Sequence, residues 1–537
     1  MLLRSLTVAA LFVTLSIGAA AQNASSVIAA ASKAMGVDNL TSITYSGTAR
    51  NGAFGQSKAI GDPMGAVNVT QITGYTRTVS FAPAATPQTL VSRATGTTQP
   101  PTVPGVPPPM PGVLNQNVSG QQAGANWGQA LNVWTTPWGF LKGAAANNAT
   151  VRQQGGQQVV SFSPATLKSP SGQVYTVTGY VNNQNLVTKV ETRVEHAVVG
   201  DLPVEFEYSN YQNMNGVQVP GRIVQKQAGL TTFDATISAA TANPANLTEL
   251  LTPPPAPARG GGAPGGGAAP GRGGAAGAGA PGGQAGRGDG RGAGVPGAGG
   301  PPQGGGRGGG GQQAAAAPPI EKLGDGAFAI GGNYLSMAID MGDHILVVES
   351  GQNDARGMAV MAAAKQAIPG KPVRFVANSH PHFDHASGLA AAVAEGATIL
   401  THRNNEAVLE RLLAGPRTLM GDSLSKVTNR RTNVVEGVGD RDVRRGSNGK
   451  VVELHRVANE HSDGMLVVYL PAEKVLWSAD VTAINPNPAQ LPVTRAVNDA
   501  ATRLKLDYTR FLTAHPPNPD PGRPLTRDDV LKAVGTN

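Results

Sequence analysis

Residues 253–319 decide how the rest of this chain can fold. The segment is almost entirely Gly, Ala, Pro, Gln and Arg. Such a composition buries too little apolar area to offset the entropy of ordering the chain, so a disordered linker is expected. The chain has 537 residues, too many for one compact core. Two folding regions are therefore expected, 22–252 and 320–537. A flexible segment of this length spans roughly 45 Å and does not fix how its two ends sit. It reads as a solubilising tether that is dispensable for chemistry.

The linker also bears on charge. The net charge is +8, from 42 Lys+Arg and 34 Asp+Glu, which invites a nucleic-acid reading. Five arginines, Arg259, Arg272, Arg287, Arg291 and Arg307, lie in the linker, opposed only by Asp289. They account for about half of the excess, so the folding regions are only mildly basic. The Arg-Gly runs also lack the interleaved aromatics on which bases stack. No nucleic-acid partner is expected.

Residues 1–21 read as a secretory signal. Arg4 precedes the apolar stretch "LTVAALFVTLSIGAAA", and "AAAQ" at 19–22 offers a cleavage site before Gln22. No later segment is a long uninterrupted apolar run, so no transmembrane segment is expected after its removal. The expected location is exported, periplasmic or secreted. The chain has no cysteine. It therefore has no disulfide, no thiolate nucleophile and no cysteine metal ligand, and relies on core burial and metal for stability.

Residues 22–252 read as β-rich. "QVYTVTGYV", "LVTKVETRVEHAVV", "PVEFEYSNYQ" and "VQVPGRIVQKQ" are rich in Val, Thr and Tyr, with turn signals such as "NNQN" and "NMNG" between them. An antiparallel meander or half-barrel is expected, after one helix near "ASSVIAAASKAMG". Residues 98–112 are Pro-rich and read as a loop. The patterns "MGVDNLTSITYSGTAR" and "YSNYQNMNGVQVPGRIV" resemble periplasmic lipoprotein-carrier-like β domains. That resemblance implies a lipid-like or extended partner. The region carries one histidine, His196, and no catalytic cluster.

Residues 320–537 alternate strands and helices, as in layered α/β or α+β domains. "FAIGGNYLSMAID", "HILVVESG", "PVRFVAN", "ATILTH", "GMLVVYLP" and "KVLWSAD" read as strands. "ARGMAVMAAAKQAI", "SGLAAAVAEG" and "NEAVLERLLAG" read as helices. Thr526 and Asp529 read as a capping box opening the last helix, with Asp in place of the usual Glu.

Three of the chain's nine histidines and an aspartate fall within "HPHFDH", as His380, His382, Asp384 and His385. They follow an apolar strand. His380 and His382, two apart in an extended stretch, project to one side. Asp384 and His385 follow at the turn into a helix. Neutral imidazoles and a carboxylate converging on one volume suit a divalent metal such as zinc. His461 precedes a strand, while Asp480 and His515 each follow one. Loops at strand ends build the sites of layered domains, so these three are further ligand candidates.

The motif H-x-H-x-D-H, with His461, Asp480 and His515 in order after it, resembles the metallo-β-lactamase-fold hydrolase superfamily. The resemblance implies an αββα sandwich over 320–537. It implies that His380, His382 and His461 bind a first metal, that Asp384, His385 and His515 bind a second, and that Asp480 bridges both. Two zinc ions per chain are expected. Such ions, about 3.5–4 Å apart, generate a hydroxide at neutral pH that attacks an electrophilic centre. Asp384 is the catalytic candidate, orienting the nucleophile and helping to move its proton. Three positions depart from the family's pattern: Ser387-Gly388 after the motif, Glu349 in place of a supporting aspartate, and Ala514-His515-Pro516 around the last ligand.

Within the superfamily, the absence of cysteine excludes the cysteine-ligand β-lactamases. Acidic Asp480 resembles the glyoxalase II, lactonase and phosphodiesterase branches. The resemblance implies a small-molecule substrate carrying an ester, thioester, lactone or similar bond. A cysteine-free β-lactamase and a non-catalytic metal-containing binding module are the alternatives. His344, His402 and His455 are expected to be structural. None of these motifs specifies an oligomeric state.

Overall fold

The computed structural model describes residues 24–82, 89–102, 109–119, 128–165, 167–253, 317–332, 334–483, 491–515 and 525–535. Residues 1–21, nearly all of the linker and the middle of the Pro-rich 98–112 stretch lie outside the described residues. No helix among them is long and apolar enough to cross a membrane.

The N-terminal region forms an eleven-stranded antiparallel sheet. Its strands lie in the order Gly112–Ser119, Leu90–Gln99, Thr70–Ser80, Ser42–Asn51, Leu230–Ala242, Val217–Gln227, Gly200–Met214, Val187–His196, Val177–Val181, Gln157–Phe162 and Thr150–Gln154. Nearest neighbours in sequence pair except where the first strand, Ser42–Asn51, meets the last, Leu230–Ala242. That is the expected meander. The turns fall at Asn185 and at Asn215-Gly216, which take the positive φ that tight hairpins need.

Along Val187–His196, Val187, Val190 and Val194 are fully buried, while Thr188, Lys189 and Arg193 are not. One face is thus apolar. It is covered by the helix over 24–35 and by the helices Gly128–Trp134 and Pro137–Ala146. Tyr45, Trp138, Phe140 and Phe233 fill the space between them. Thr136 caps the last of these helices by accepting from the Gly139 amide, with Pro137 at its first position. These two later helices carry no strong period in the sequence and were not expected from it.

The C-terminal region is two sheets face to face with helices outside, the expected αββα sandwich. The first sheet runs Ile320–Gly324, Ala327–Ile330, Ser336–Asp340, Ile345–Val348, Val373–Ala377, Thr398–His402 and Val435–Val438. Its last three strands are parallel to Ile345–Val348 or to each other in turn. The second sheet runs Arg441–Arg445, Val451–Arg456, Leu466–Leu470, Val475–Ser478, Arg510–Thr513 and Leu525–Thr526. Leu346 and Val348 point between the sheets with Leu454, Leu470, Trp477 and Phe511. Ile345 and Val347, on the other face, pack toward the helices Asp354–Ala367 and Leu389–Ala394. Burial on both faces is why this strand reads as an unbroken apolar run. Thr526 and Asp529 form the expected capping box.

The two regions pack against each other. One continuous cluster of buried apolar side chains runs from the N-terminal sheet into the outer helices of the sandwich. A polar seam lies beside it. The Asp201 carboxylate accepts from the Thr418 amide at 3.0 Å, the Thr418 hydroxyl at 2.7 Å and the Leu419 amide at 2.9 Å. Arg417 is buried, ion-paired with Asp422, and donates to the carbonyls of Ala197 and Val198. The backbones come so close that a Cβ on Gly200, which has φ +82°, would lie 2.3 Å from the Pro416 carbonyl oxygen. The geometry that a tether leaves open is set by these contacts.

Candidate metal centre

The strand Val373–Ala377 ends at the sandwich edge, and Asn378 continues it by donating from its amide to the Leu400 carbonyl. Ser379 and His380 follow, Pro381 holds His380 extended, and His382 is itself extended, with φ −58° and ψ 142°. His382 then caps the short helix Phe383–Ala386, its carbonyl accepting from the amides of His385 and Ala386. His461 lies before the strand Leu466–Leu470. Asp480 follows Val475–Ser478, and His515 follows Arg510–Thr513. Four separate chain segments thus converge on one edge.

The structure brings all seven sequence-derived candidates together. His380 Nε2 lies 3.1 Å from His461 Nε2, and His385 Nε2 lies 3.3 Å from His515 Nε2. Asp480 sits between these pairs. Its Oδ2 lies 3.3, 3.2 and 3.3 Å from the Nε2 atoms of His380, His385 and His461, and its Oδ1 lies 3.1 Å from His515 Nε2. Asp384 Oδ2 lies 3.3 Å from His385 Nε2 and 3.8 Å from His515 Nε2. Three overlapping groups have ligand spacing: His380, His382 and His461; His380, His385 and Asp480; Asp384, His385 and His515.

Ring orientations follow from the outer nitrogens. His380 Nδ1 meets the Ser379 hydroxyl at 3.1 Å, and His385 Nδ1 lies 3.4 Å from Glu349. Both present Nε2 to the cluster. His382 is the reverse: its Nε2 lies 3.1 Å from the Ser57 carbonyl, leaving Nδ1 as its other nitrogen. Buried His382 Nδ1 has no hydrogen-bond partner among the described residues, and Asp480 Oδ2 meets only the imidazole nitrogens already given. Buried polar atoms are rarely left so. A cation among imidazole nitrogens and carboxylates would satisfy them, so the donor set fits a metal.

Burial keeps two of the ring donors neutral, while a third is charged until a cation displaces its proton. Burial, with repulsion from His385 and His382, holds His380 well below the usual histidine range, and burial pushes His382 down to about 3. Both are neutral at pH 7, the form that ligates. Burial opposes charge on His385, but Asp480 and Asp384 outweigh it and hold the ring well above its usual value. Burial likewise opposes charge on Asp480, and the opposing charge of His385 keeps the carboxyl well below the carboxylate range.

Glu349 fills the supporting role despite its extra methylene. Its Oε2 accepts from the Ser379 hydroxyl at 2.7 Å and faces His385. It does so at φ +65°, and Asp480 takes φ +54°. Non-glycine residues in this region store about 1–3 kcal/mol each and cluster at functional sites. Of the remaining histidines, His402 caps the helix Arg403–Leu413 and pairs with Asp440, while His344 and His455 pair with Asp343 and Glu453. These are structural surroundings, as expected.

Three residues at the site were not foreseen. Tyr334 donates to Asp384 Oδ2 at 3.2 Å and stacks edgewise on His515 with centroids 4.6 Å apart. Gln56 donates to Asp384 Oδ1 at 2.8 Å, and Ser57 meets His382. Tyr334 follows a Gly-Gly pair within an apparent strand, the one signal that a loop was there. Gln56 and Ser57 lie more than three hundred residues away in sequence and carry no signal.

The family model described as the metallo-beta-lactamase superfamily matches residues 330–515. The C-terminal domain belongs to the metallo-β-lactamase superfamily. Solved structures similar to it include a metallo-beta-lactamase from Pontibacter korlensis, 14% identical over 41% of this chain and 98% of that one, with TM-score 0.32. Another from Hirschia baltica is 21% identical over 40% and 96%, with TM-score 0.30. A third, from Erythrobacter litoralis, is 16% identical over 41% and 95%, with TM-score 0.28. No curated protein matches the chain. The superfamily match covers the motif and every later ligand candidate.

Proposed function

We propose that this chain is an exported, dinuclear zinc-dependent hydrolase acting on an ester, thioester, lactone or similar bond in a small molecule. The observation that carries it is Asp480, whose two oxygens reach histidines of both candidate triads. Seven ligand side chains are too many for one tetrahedral ion. His380, His382 and His461 would hold one ion, Asp384, His385 and His515 the other, with Asp480 shared. When bound, such a pair supplies a nucleophile from water at neutral pH and polarises the attacked group.

The chain's own residues supply the rest. Asp384 offers a carboxylate oxygen to accept the proton of the attacking water. Tyr334 and Gln56 donate to that carboxylate and keep it oriented. Ser379 meets His380 Nδ1 at 3.1 Å and Glu349 faces His385 Nδ1 at 3.4 Å, which orients both rings. Export rests on the reading of residues 1–21.

The test has two parts. Elemental analysis of metal-replete protein should find about two ions per chain. A hydrolysis screen across esters, thioesters, lactones, phosphodiesters and β-lactams should find turnover that a chelator removes. Turnover on β-lactams alone would make the protein a β-lactamase. Bound metal with no turnover on any class would favour a binding module.

A further inference from the structure

The connection between the strands Ser42–Asn51 and Thr70–Ser80 is a small structure of its own. The Ala53 amide donates to the Pro63 carbonyl at 3.0 Å, the Gln56 amide to Ala53 at 3.0 Å and the Lys58 amide to the Asn68 side chain at 3.0 Å. The Ser57 hydroxyl donates to the Ala59 carbonyl at 2.8 Å. This segment belongs to the N-terminal domain but docks on the metal motif at two separate places. The Phe383 amide donates to the Gly55 carbonyl at 3.0 Å, and the Asp463 amide to the Lys58 carbonyl at 2.8 Å. Lys58 also pairs with Glu460 at 2.6 Å. The segment thus grips both the H-x-H-x-D-H loop and the loop that carries His461. Phe54 closes against Phe383, edge to face, with centroids 5.1 Å apart.

We propose that the N-terminal domain is part of the metal site: through the Ser57 carbonyl and the Gln56 amide, the 52–69 segment sets which nitrogen of His382 and which oxygen of Asp384 face the metals. The inference rests on the metal reading above. A carbonyl can only accept, so His382 Nε2 at 3.1 Å must carry the proton. The lone pair is then on Nδ1, the ligating form. Ser57 and His382 are both buried, so the bond is shielded from water. Partners of this kind fix ring orientation and commonly alter metal affinity by about 10–100-fold. Gln56 occupies Asp384 Oδ1, while Oδ2, which also accepts from Tyr334 at 3.2 Å, is the oxygen beside His385 and His515.

Gly55 makes the docking possible. It sits at φ +74°, and a Cβ there would lie 2.0 Å from the Phe383 ring. A side chain at 55 must displace the Phe383 ring or the segment itself.

The experiment uses the full chain, stripped of metal and titrated with zinc against a chromophoric chelator. Wild type should show two binding steps. Gln56→Ala should weaken one of them by about 10–100-fold, and Gly55→Val should weaken both. Cobalt(II) in place of zinc reports ligand geometry directly, and the visible bands of Gln56→Ala should differ from wild type. Melting of each variant checks the fold. Should the Gly55 variant not fold, Gln56→Ala decides alone, because that side chain is exposed. Wild-type zinc affinity with an unchanged cobalt spectrum would overturn the proposal while leaving the metal site standing. A wild-type chain that binds no zinc would overturn the metal reading itself.

Discussion

Glu349 Oε2 lies 3.4 Å from Nδ1 of His385, and both side chains are completely buried. The carboxylate thus holds the ring whose other nitrogen meets Asp480, Asp384 and His515. Glu349→Ala should weaken metal binding by about 10–100-fold. Glu349→Asp should restore only part of it, because the shorter side chain cannot reach both Ser379 and His385 from this backbone. Zinc titration against a chelator measures both. Equal affinity in all three proteins would remove Glu349 from the site.

Metal removal should destabilise the fold as well as stop turnover. Stripping the ions leaves His382 Nδ1 buried and unpaired and four imidazoles crowded around Asp480, and ions that bind only the folded state stabilise it by mass action. Melting temperature should fall on treatment with a chelator and recover on adding zinc. A melt indifferent to chelator would argue against a buried metal centre.

Asp384→Asn should reduce turnover by roughly 10²–10⁴, the scale of a lost general base. The amide keeps the shape but neither the charge nor the proton-accepting oxygen. One ion should remain, since His380, His382 and His461 are untouched. The comparison is Arg222→Ala, which breaks an exposed pair with Asp234 on the N-terminal sheet and should leave the rate unchanged. Near-normal turnover in Asp384→Asn with a normal melt would mean the reaction does not use this site.

His196 gives the fold a pH dependence in the acid range. Burial, helped by the charge of Arg417, lowers it from 6.5 to about 4. Its ring packs edgewise on Phe383 with centroids 4.6 Å apart, and its Nδ1 accepts from the Val198 and Val199 amides. The folded value lies below the unfolded one, so the neutral ring is favoured in the fold. The stability it contributes is complete above pH 6.5 and is lost as pH falls toward 4. The difference corresponds to roughly 3 kcal/mol. His196→Asn, which keeps a short acceptor but cannot titrate, should show a flatter fall in melting temperature over that range. An unchanged slope would assign the acid sensitivity elsewhere.

The interdomain seam should be strong enough to survive a cut tether. Arg417→Ala leaves buried Asp422 unpaired and two carbonyls without their donor, a loss of about 3–5 kcal/mol. In the wild-type chain, proteolysis within 253–319 should yield two fragments that stay together on gel filtration. Fragments that separate freely would show that the seam does not hold the domains.

The ligand set was legible in the sequence because it depends on local features. A strand end followed by H-x-H-x-D-H puts four donors in one turn whatever surrounds them. His461, Asp480 and His515 announce themselves as rare residue types beside apolar strands. The sandwich follows from strands that are apolar on both faces, and the N-terminal meander from Val- and Thr-rich strands broken by Asn-rich turns. These are properties of short stretches, so order along the chain is enough to read them.

What only the tertiary structure decided is how the two halves meet. The composition of residues 253–319 specifies no distance between the two halves, and no periodicity in residues 52–69 marks them as neighbours of residue 382. Gln56 and Ser57 reach the site because Gly55 permits a close approach to Phe383 and because a shared apolar core fixes the angle between the domains. Tyr334 likewise gains its role only when separate segments are brought to one edge. Contacts between residues distant in sequence are summed over a whole interface, and no single stretch of the chain encodes that sum.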